Sequence, residues 1–388
     1  MDWTIPKEYE LFRRMVRDFA EREVRPLASV IDREGRVPLE TVQKAAKLGL
    51  MGVPFPQEYG GMGGGEMGYC IMMEELGRVC TSTATVIGAH TGIGAMAIAL
   101  DGTPEQKEKY LTPLARGEKI AAFALTEPNA GSDAAAIKTR AVRDGNKFIL
   151  NGTKTFITNG PQADILTVMA VTDPSLGARG GVTAFIVEKE FPGYRVGSEW
   201  EKMGIRGSGT SELIFEDCPV PAENVLGQFG AGFITFMKSL DIGRASLGAA
   251  CLGGAQAALD LAMQWAKVRE QFGAPIATKQ EIHFMIADMY TEIEALRSLI
   301  HRTAWLIDTG QPHVKEAAVC KLFGSEVASR CINRTVQICG GLGYSRDYSV
   351  ERAFRDARIA EIFEGTNEIQ RIVIASNLFR PEGVRISS

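Results

Sequence analysis

The longest stretch of uninterrupted helical pattern lies near the C-terminal end of the chain. Residues 276–309, between Pro275 and Gly310, form a run of 34 residues with neither glycine nor proline. Apolar residues recur there three and four positions apart, as on one face of an α-helix; they are Ile282, Met285, Ile286, Met289, Ile293, Leu296 and Ile300. At about 1.5 Å per residue, such a helix would approach about 50 Å. A second long helical segment follows Pro312, so we predict a C-terminal helical bundle over residues 229–388.

The rest of the chain divides into a helical part and a β-rich part. Residues 1–119 are predicted to form an N-terminal helical domain, because apolar residues again follow helical spacing at Phe12, Met15, Val16 and Phe19. Between residues 120 and 228 the pattern changes, and Asp144-Gly145 separates two strand-like runs as in a hairpin. Further strand-like runs lie at 155–158, 165–171, 182–187 and 213–215. We therefore predict an α+β fold with a middle antiparallel β domain over residues 120–228.

Charge and composition exclude several classes of function. The chain of 388 residues carries 43 Lys and Arg against 47 Asp and Glu, a formal net charge of −4. Its hydrophobic content of 45% is ordinary for a globular protein and excludes a disordered chain. The slight acidity offers no basic surface for nucleic acid or an anionic membrane, so we expect neither partner.

The cysteines and histidines do not suggest a metal site. Seven cysteines occur without a CxxC pair, and the four histidines lie far from them in sequence. We expect buried reduced thiols and no metal.

The N-terminus and the most apolar segment bear on the cellular compartment. The chain enters an amphipathic helix almost at once, so we expect no signal peptide and a cytoplasmic location. The stretch from Val79 to Leu100 has no formal charge but contains Thr, Ser, His and Gly. This composition favours a buried helix or a pocket wall over a membrane span.

Four glycine-rich or polar segments could carry chemistry. The spacing of Gly63, Gly65 and Gly68 formally matches a dinucleotide fingerprint, but two prolines precede it and a helical pattern follows, so we read it as a loop. Residues 123–133, FALTEPNAGSD, suit a loop whose backbone approaches a flat or phosphorylated ligand, although an ordinary turn has the same composition. In residues 155–160, TFITNG, strand alternation could place an aromatic ring and a hydroxyl on one face.

The fourth segment contains the best candidate for a general base. In IFEGTNEIQ, Gly365-Thr366 looks like a break followed by a helix start, and Glu364 stands just before it. Beside the apolar Ile362 and Phe363, a carboxyl group can be partly desolvated, which raises its pKa and makes it a better base. A solvated glutamate before a helix is the alternative.

Three more motifs lie along the chain: KMGIRGS (202–208), REQFG (269–273) and QICGGLGY (337–344). With the segments above, they occur in the order found in the acyl-CoA dehydrogenase flavoproteins. The chain therefore resembles this family, and its short- or medium-chain members in particular. The resemblance implies FAD as the cofactor and oxidation of an acyl-CoA thioester to the trans-2-enoyl-CoA. It further implies β-oxidation of fatty acids, an electron-transfer flavoprotein as acceptor, and a homotetramer built as a dimer of dimers. An oxidase-like relative, a glutaryl-CoA-type decarboxylating relative and a non-catalytic CoA-binding scaffold remain alternatives.

The resemblance also assigns roles to residues. Glu364 matches the catalytic base. Contacts with FAD are implied for Phe123, Leu125, Thr126, Gly131, Ser132, Phe156, Thr158, Thr366 and Glu368. Contacts with the FAD of a neighbouring subunit are implied for Arg269, Gln271, Phe272, Gln337 and Gly341. Contacts with the acyl-CoA are implied for Ser132, Asp241, Arg244, Phe363 and Gly365.

Two further features bear on the substrate. Some relatives place their base at the position of Gly243, which cannot serve, so Glu364 stands alone. The segment from Val79 to Leu100, which matches part of the acyl-pocket wall, has no Lys or Arg to pair with a distal carboxylate, so we expect a monocarboxylic acyl group. Its small residues, such as Gly88 and Gly92, could admit a bulky chain unless neighbouring side chains fill the space.

Overall fold

The computed structural model of the protein describes residues 6–379. Its α-helices, in chain order, are α1 (Lys7–Phe19), α2 (Ala28–Glu34), α3 (Leu39–Lys47), α4 (Gly65–Gly77), α5 (Thr81–Gly88), α6 (Met96–Asp101), α7 (Pro104–Gln106), α8 (Thr112–Ala115), α9 (Ala178–Gly181), α10 (Gly232–Val268), α11 (Gln280–Asp308), α12 (Val314–Cys339), α13 (Ser349–Ala357) and α14 (Asn367–Phe379). Its strands are β1 (Ala121–Ala124), β2 (Arg140–Asp144), β3 (Lys147–Thr158), β4 (Ile165–Val171), β5 (Val182–Glu188), β6 (Tyr194–Glu199), β7 (Thr210–Pro221), β8 (Val225–Leu226), β9 (Glu270–Gln271) and β10 (Ala274–Pro275).

The long helices α10, α11 and α12 form the predicted bundle. The C-terminal part of the apolar stripe on α11, from Met289 to Ile300, is buried in the core shared with α4, α10 and α12. Helix α11 begins only at Gln280, because Ile276–Thr278 forms a separate 3₁₀ turn. Helices α10 and α12 approach closely at Gly248, where an added Cβ would lie 2.8 Å from the carbonyl oxygen of Cys320. This close packing makes α10 a rigid wall for whatever lies against its other face.

The middle of the chain folds into one sheet with the strand order β6-β7-β3-β2-β4-β5-β8. Strands β2 and β3 form the hairpin expected around Asp144-Gly145, and most other pairs are antiparallel as predicted. Strand β1 pairs in parallel with β4, and β2 touches β4 in parallel as well. The predicted α+β architecture of helices, sheet and helices is thus confirmed.

The uncharged stretch near residues 79–100 is mostly buried within the protein. Helices α5 and α6 are joined by a π-helical turn, Ala89–Ala95. Among residues 6–379, Thr81–Asp101 has the length and composition to cross a membrane, yet most of it packs inside the fold. Its buried His90 accepts a hydrogen bond from the backbone N–H of Ala121 through Nδ1, so its Nε2 donates to the carbonyl of Leu114. Through His90, this helical segment fixes the start of β1.

Candidate active site

A cavity of about 1230 Å³ opens where the sheet meets the helices. Helix α4, helix α5 with its π-helical turn, and helix α10 supply one side, and the loop after β1 and the end of β3 supply another. Residues of α12 and α13 and the loop before α14 also line it. The predicted site residues that line this cavity are Phe123, Leu125, Thr126, Gly131, Ser132, Phe156, Thr158, Arg244, Phe363, Glu364, Gly365 and Thr366.

Hydrogen bonds from the side chain of Gln370 to the backbone hold Glu364 in an unusual conformation. Its φ is +53°, a value that non-glycine residues seldom adopt, and Gly365 follows at +88°. The buried Gln370 donates through Nε2 to the carbonyl oxygens of Glu364, at 3.2 Å, and of Gly365, at 2.8 Å. Thr366 accepts a hydrogen bond from the N–H of Ile369 through its hydroxyl and so caps α14. The start of α14 therefore fixes the backbone that carries Glu364.

One oxygen of the Glu364 carboxyl group, Oε2, is buried and lacks a hydrogen-bond partner among the described residues. Burial raises the pKa of Glu364 to about 7, while the positive charges of Arg244 and Lys321 oppose the rise. A carboxyl group with a pKa near neutrality is well matched to removing a proton at physiological pH. The expectation of a desolvated Glu364 is thus met, and the alternative of a solvated glutamate is not.

Helix α10 passes directly beside this carboxyl group. A Cβ added to Gly243 would lie 3.2 Å from the Oε2 of Glu364. At the next residue of α10, the buried Arg244 donates through Nη1 to the Oδ1 of Asp241 at 2.5 Å. Arg244 lines the cavity, whereas Asp241 does not. Asp241 therefore acts on the cavity through Arg244, whose position it fixes.

A buried ion pair holds the loop after β1 onto β3. Lys154 donates through Nζ to the Oε1 of Glu127 at 2.7 Å and to the carbonyl of Leu125 at 3.0 Å. Glu127 also accepts from the N–H groups of Lys138 and Thr139. Although burial acts to raise the pKa of Glu127, Lys154 and these donors bring it below its usual value. The pair thereby places the neighbouring Thr126 at the cavity wall.

Phe156 reaches the cavity by a distortion of β3. Its φ is +55°, and the register of β3 against β7 shifts between Lys154 and Ile157. The expected simple alternation is therefore interrupted, although Phe156 and Thr158 do share the cavity. The Phe156 ring is 57% exposed and stacks on Trp200, with the ring centroids 4.5 Å apart.

Seven predicted site residues lie outside the cavity lining. Asp241 acts through Arg244 as described, and Glu368 is exposed in the first turn of α14. The other five are exposed around the β9–β10 hairpin and the end of α12: Arg269, Gln271, Phe272, Gln337 and Gly341. Phe272 is 96% exposed at a φ of +53°. These five are separate from the cavity within one chain.

Sequence reasoning missed several residues that shape the site. They are Tyr69, Met73, Glu127, Lys154, Trp200 and Lys321. Lys321 is buried and donates to the Oδ1 of Asn367 at 2.9 Å. A lysine in the middle of an otherwise apolar helix face is the signal that could have revealed it.

The cavity suits a flavin dinucleotide together with a second ligand. Its volume exceeds the range of about 300–1,000 Å³ usual for a single small molecule. Phe156 presents an exposed ring held by a strained backbone, and the Thr126 and Thr158 side chains lie on the same wall. Glu364 lines the same cavity, and its Oε2 has no hydrogen-bond partner among the described residues. The donor set therefore fits a flat redox ring set against a carboxylate.

Comparison with known proteins agrees with this geometry. Three family models match, described as the acyl-CoA dehydrogenase N-terminal domain over residues 6–118, middle domain over 122–218 and C-terminal domain over 230–379. A short-chain specific acyl-CoA dehydrogenase of Clostridium acetobutylicum is 47% identical over 380 residues, which cover 98% of this chain and all of that protein.

Two solved structures share the fold at high similarity. The butyryl-CoA dehydrogenase of Megasphaera elsdenii is 42% identical, with a TM-score of 0.96 over 98% of this chain and all of that one. A chain from a study of the electron transferring flavoprotein of Acidaminococcus fermentans is 45% identical, with the same TM-score and the same coverage. With three domain models matched in order and relatives aligned along its length, the chain belongs to the acyl-CoA dehydrogenase family of FAD-dependent oxidoreductases.

Proposed function

We propose that the protein oxidises the CoA thioester of a monocarboxylic acid, whose acyl chain carries no charge, to the trans-2-enoyl-CoA. Glu364 is the base that removes the α-proton. One observation carries this proposal. The buried, unpartnered Oε2 of Glu364 shares a single cavity with the aromatic and hydroxyl wall formed by Phe156, Thr126 and Thr158. A substrate between them would have its α-carbon on the carboxylate side and its β-carbon on the other.

The residues of the chain prepare the proton transfer. FAD, when bound, supplies an acceptor for the hydride that leaves the β-carbon. The burial that raises the pKa of Glu364 gives a carboxylate that holds a proton well at neutral pH. Arg244 and Lys321 keep enough positive charge nearby for the carboxylate to form. Burial of the Glu364 Oε2 away from solvent strengthens these interactions.

The cofactor and the acyl-CoA are proposed to contact two sets of residues that share Ser132. We propose that Phe123, Leu125, Thr126, Gly131, Ser132, Phe156, Thr158 and Thr366 contact the flavin, with Glu368 as an outer contact. Ser132, Phe363, Gly365 and Arg244, with Asp241 behind it, are proposed to contact the acyl-CoA. Their position in or next to the cavity supports these roles.

The exposed residues near the β9–β10 hairpin are proposed to contact the FAD of a neighbouring subunit. An almost fully exposed Phe272 is unfavourable in a monomer and supports an assembly that covers it. The assembly proposed is a homotetramer, a dimer of dimers.

The partner, compartment and domain limits are proposals of the same kind. An electron-transfer flavoprotein is proposed as the acceptor, and the similarity to a chain from a study of such a flavoprotein supports it. The cytoplasm is the proposed location. Domain limits at 119/120 and 228/229 are supported by family matches that end and begin nearby.

Anaerobic titration of the FAD-loaded protein with butyryl-, octanoyl- and glutaryl-CoA tests the function. Bleaching of the flavin absorbance by a monocarboxylic thioester is expected. Rapid reoxidation of the reduced protein by oxygen would instead favour an oxidase, and carbon dioxide release from glutaryl-CoA would favour a decarboxylating enzyme. A protein that stays colourless with FAD, or is not bleached by any thioester, would favour a non-catalytic scaffold.

A further inference from the structure

Two large side chains of α4 line the cavity near the glycines of residues 88–92. Tyr69 and Met73 are one helical turn apart, so they share a face of α4, and both line the cavity while being at most 5% exposed. The Tyr69 hydroxyl donates to the carbonyl of Gly88 at 3.0 Å. Its only hydrogen is thus committed to the protein, and the ring is held in place.

These side chains occupy the space that two glycines leave open. A Cβ on Gly88 would lie 2.7 Å from the Cε of Met73, and a Cβ on Gly92 would lie 2.5 Å from the Tyr69 hydroxyl. The small residues of this wall therefore make room for α4 and not for a bulky substrate. The sequence left open whether the space beside these glycines admits a bulky acyl chain or is filled by neighbouring side chains. At Gly88 and Gly92 it is filled by neighbouring side chains.

This part of the cavity wall lies near the catalytic carboxyl group. The point where a Cβ of Gly243 would stand is 3.2 Å from the Oε2 of Glu364 and 3.6 Å from the carbonyl oxygen of Gly92. Gly92 in turn packs against Tyr69. Gly92 therefore links the two places, and the Tyr69 ring lies close to the part of the cavity that holds the reacting carboxylate.

Tyr69 and Met73 cannot retreat by a movement of α4. A Cβ on Gly77 would overlap the carbonyl of Ala250, and a Cβ on Gly253 would overlap the carbonyl of Glu74. Helices α4 and α10 are therefore in backbone contact, and packing this close fixes the position of α4 relative to α10. The depth of the cavity is set by the side chains at positions 69 and 73.

We propose that Tyr69 and Met73 form the floor of the acyl pocket and restrict the substrate to short acyl chains. The inference rests on the proposed acyl-CoA dehydrogenation and adds the length of its substrate. An aromatic ring and a thioether meet the end of the chain, so the floor suits a methyl terminus and rejects added methylenes by overlap. A pocket of this kind discriminates by about tenfold or more for each methylene.

The test compares kcat/KM for butyryl- and octanoyl-CoA in the FAD-loaded protein. Because octanoyl-CoA has several more methylenes than butyryl-CoA, wild type should prefer butyryl-CoA by at least about 100-fold. Tyr69→Ala should lower that ratio by about tenfold or more, and Met73→Ala should lower it in the same direction by less. Tyr69→Phe keeps the ring and should keep the ratio. Binding of the unreactive thioethers S-butyl-CoA and S-octyl-CoA, measured by calorimetry, should show the same order without any turnover.

Met72→Ala is the matched control, because Met72 is equally buried on α4 but does not line the cavity. It should lower stability and leave the ratio unchanged. Two results would contradict the proposed floor and leave the dehydrogenase function in place. One is a wild type that uses octanoyl-CoA as well as butyryl-CoA; the other is an unchanged ratio in folded Tyr69→Ala. If Tyr69→Ala does not fold, the ratio in Met73→Ala decides alone. A wild type that bleaches with no thioester at all would overturn the proposed function itself.

Discussion

The Oε2 of Glu364 lies 3.2 Å from the position that a Cβ of Gly243 would take. The space beside the carboxylate thus depends on the lack of a side chain on α10. Because residue 243 is glycine, only Glu364 of this pair can supply a carboxylate.

Gly243→Ala should therefore separate stability from activity. Alanine favours a helix interior over glycine by about 1 kcal/mol, but its methyl group would press on the carboxylate and on Ile93. We expect an unchanged or raised melting temperature together with at least a several-fold loss of kcat for butyryl-CoA. Gly254→Ala provides the stability control, since a Cβ there has no neighbour within 4 Å. Full activity in Gly243→Ala would show that the carboxylate does not need this space.

The raised pKa of Glu364 predicts a pH-dependent cost in stability. Its pKa is about 7 in the folded protein, against 4.5 for a glutamate in the unfolded chain. The folded state therefore binds the proton more tightly, and the protein loses stability as pH rises from about 4.5 to 7. Glu364→Gln cannot ionise and should escape this loss. In urea unfolding of the FAD-free protein, the variant should match wild type near pH 5. Near pH 8 it should be more stable by on the order of 2 kcal/mol. Equal stability at both values would argue against a desolvated carboxyl group.

The positive charge of Lys321 should lower the pH at which Glu364 titrates. This charge opposes the rise in the pKa of Glu364, so Lys321→Met should move that pKa upward. The rising limb of kcat/KM against pH should then shift to higher pH. Lys321→Arg keeps the charge and is the control, with a limb closer to wild type. A limb that stays in place in the methionine variant would assign Lys321 a purely structural role.

Breaking the buried pair of Glu127 and Lys154 should be costly. Lys154→Met leaves a buried carboxylate without its cation, which typically costs about 3–5 kcal/mol. It should also release the loop that carries Thr126 and weaken FAD retention. Arg195→Met breaks the exposed pair with Glu216 and should cost no more than about 1 kcal/mol. Similar losses in the two variants, by urea unfolding, would contradict the buried role.

Local patterns predicted the elements of this fold but not its close contacts. Helical spacing located α11 because the stripe from Met289 to Ile300 is a property of one segment. The β2–β3 hairpin followed from Asp144-Gly145 for the same reason.

The missed features depend on residues far apart in sequence. Lys154 meets Glu127 only after β1 and β3 are placed, and Tyr69 reaches Gly92 only after α4 packs against the π-helical turn. The left-handed backbone of Phe156 is imposed by the shift of register against β7 and leaves no trace in alternation. Glu364 could be singled out because its apolar neighbours and the helix start are adjacent in sequence.

The most direct test of the account is the turnover of Glu364→Gln. Glutamine keeps the size of the side chain but cannot accept the α-proton, so the variant should retain FAD and bind butyryl-CoA. Its rate of anaerobic flavin bleaching should fall by at least about 100-fold. A bleaching rate within a few fold of wild type, with FAD bound, would contradict the assignment of Glu364 as the base.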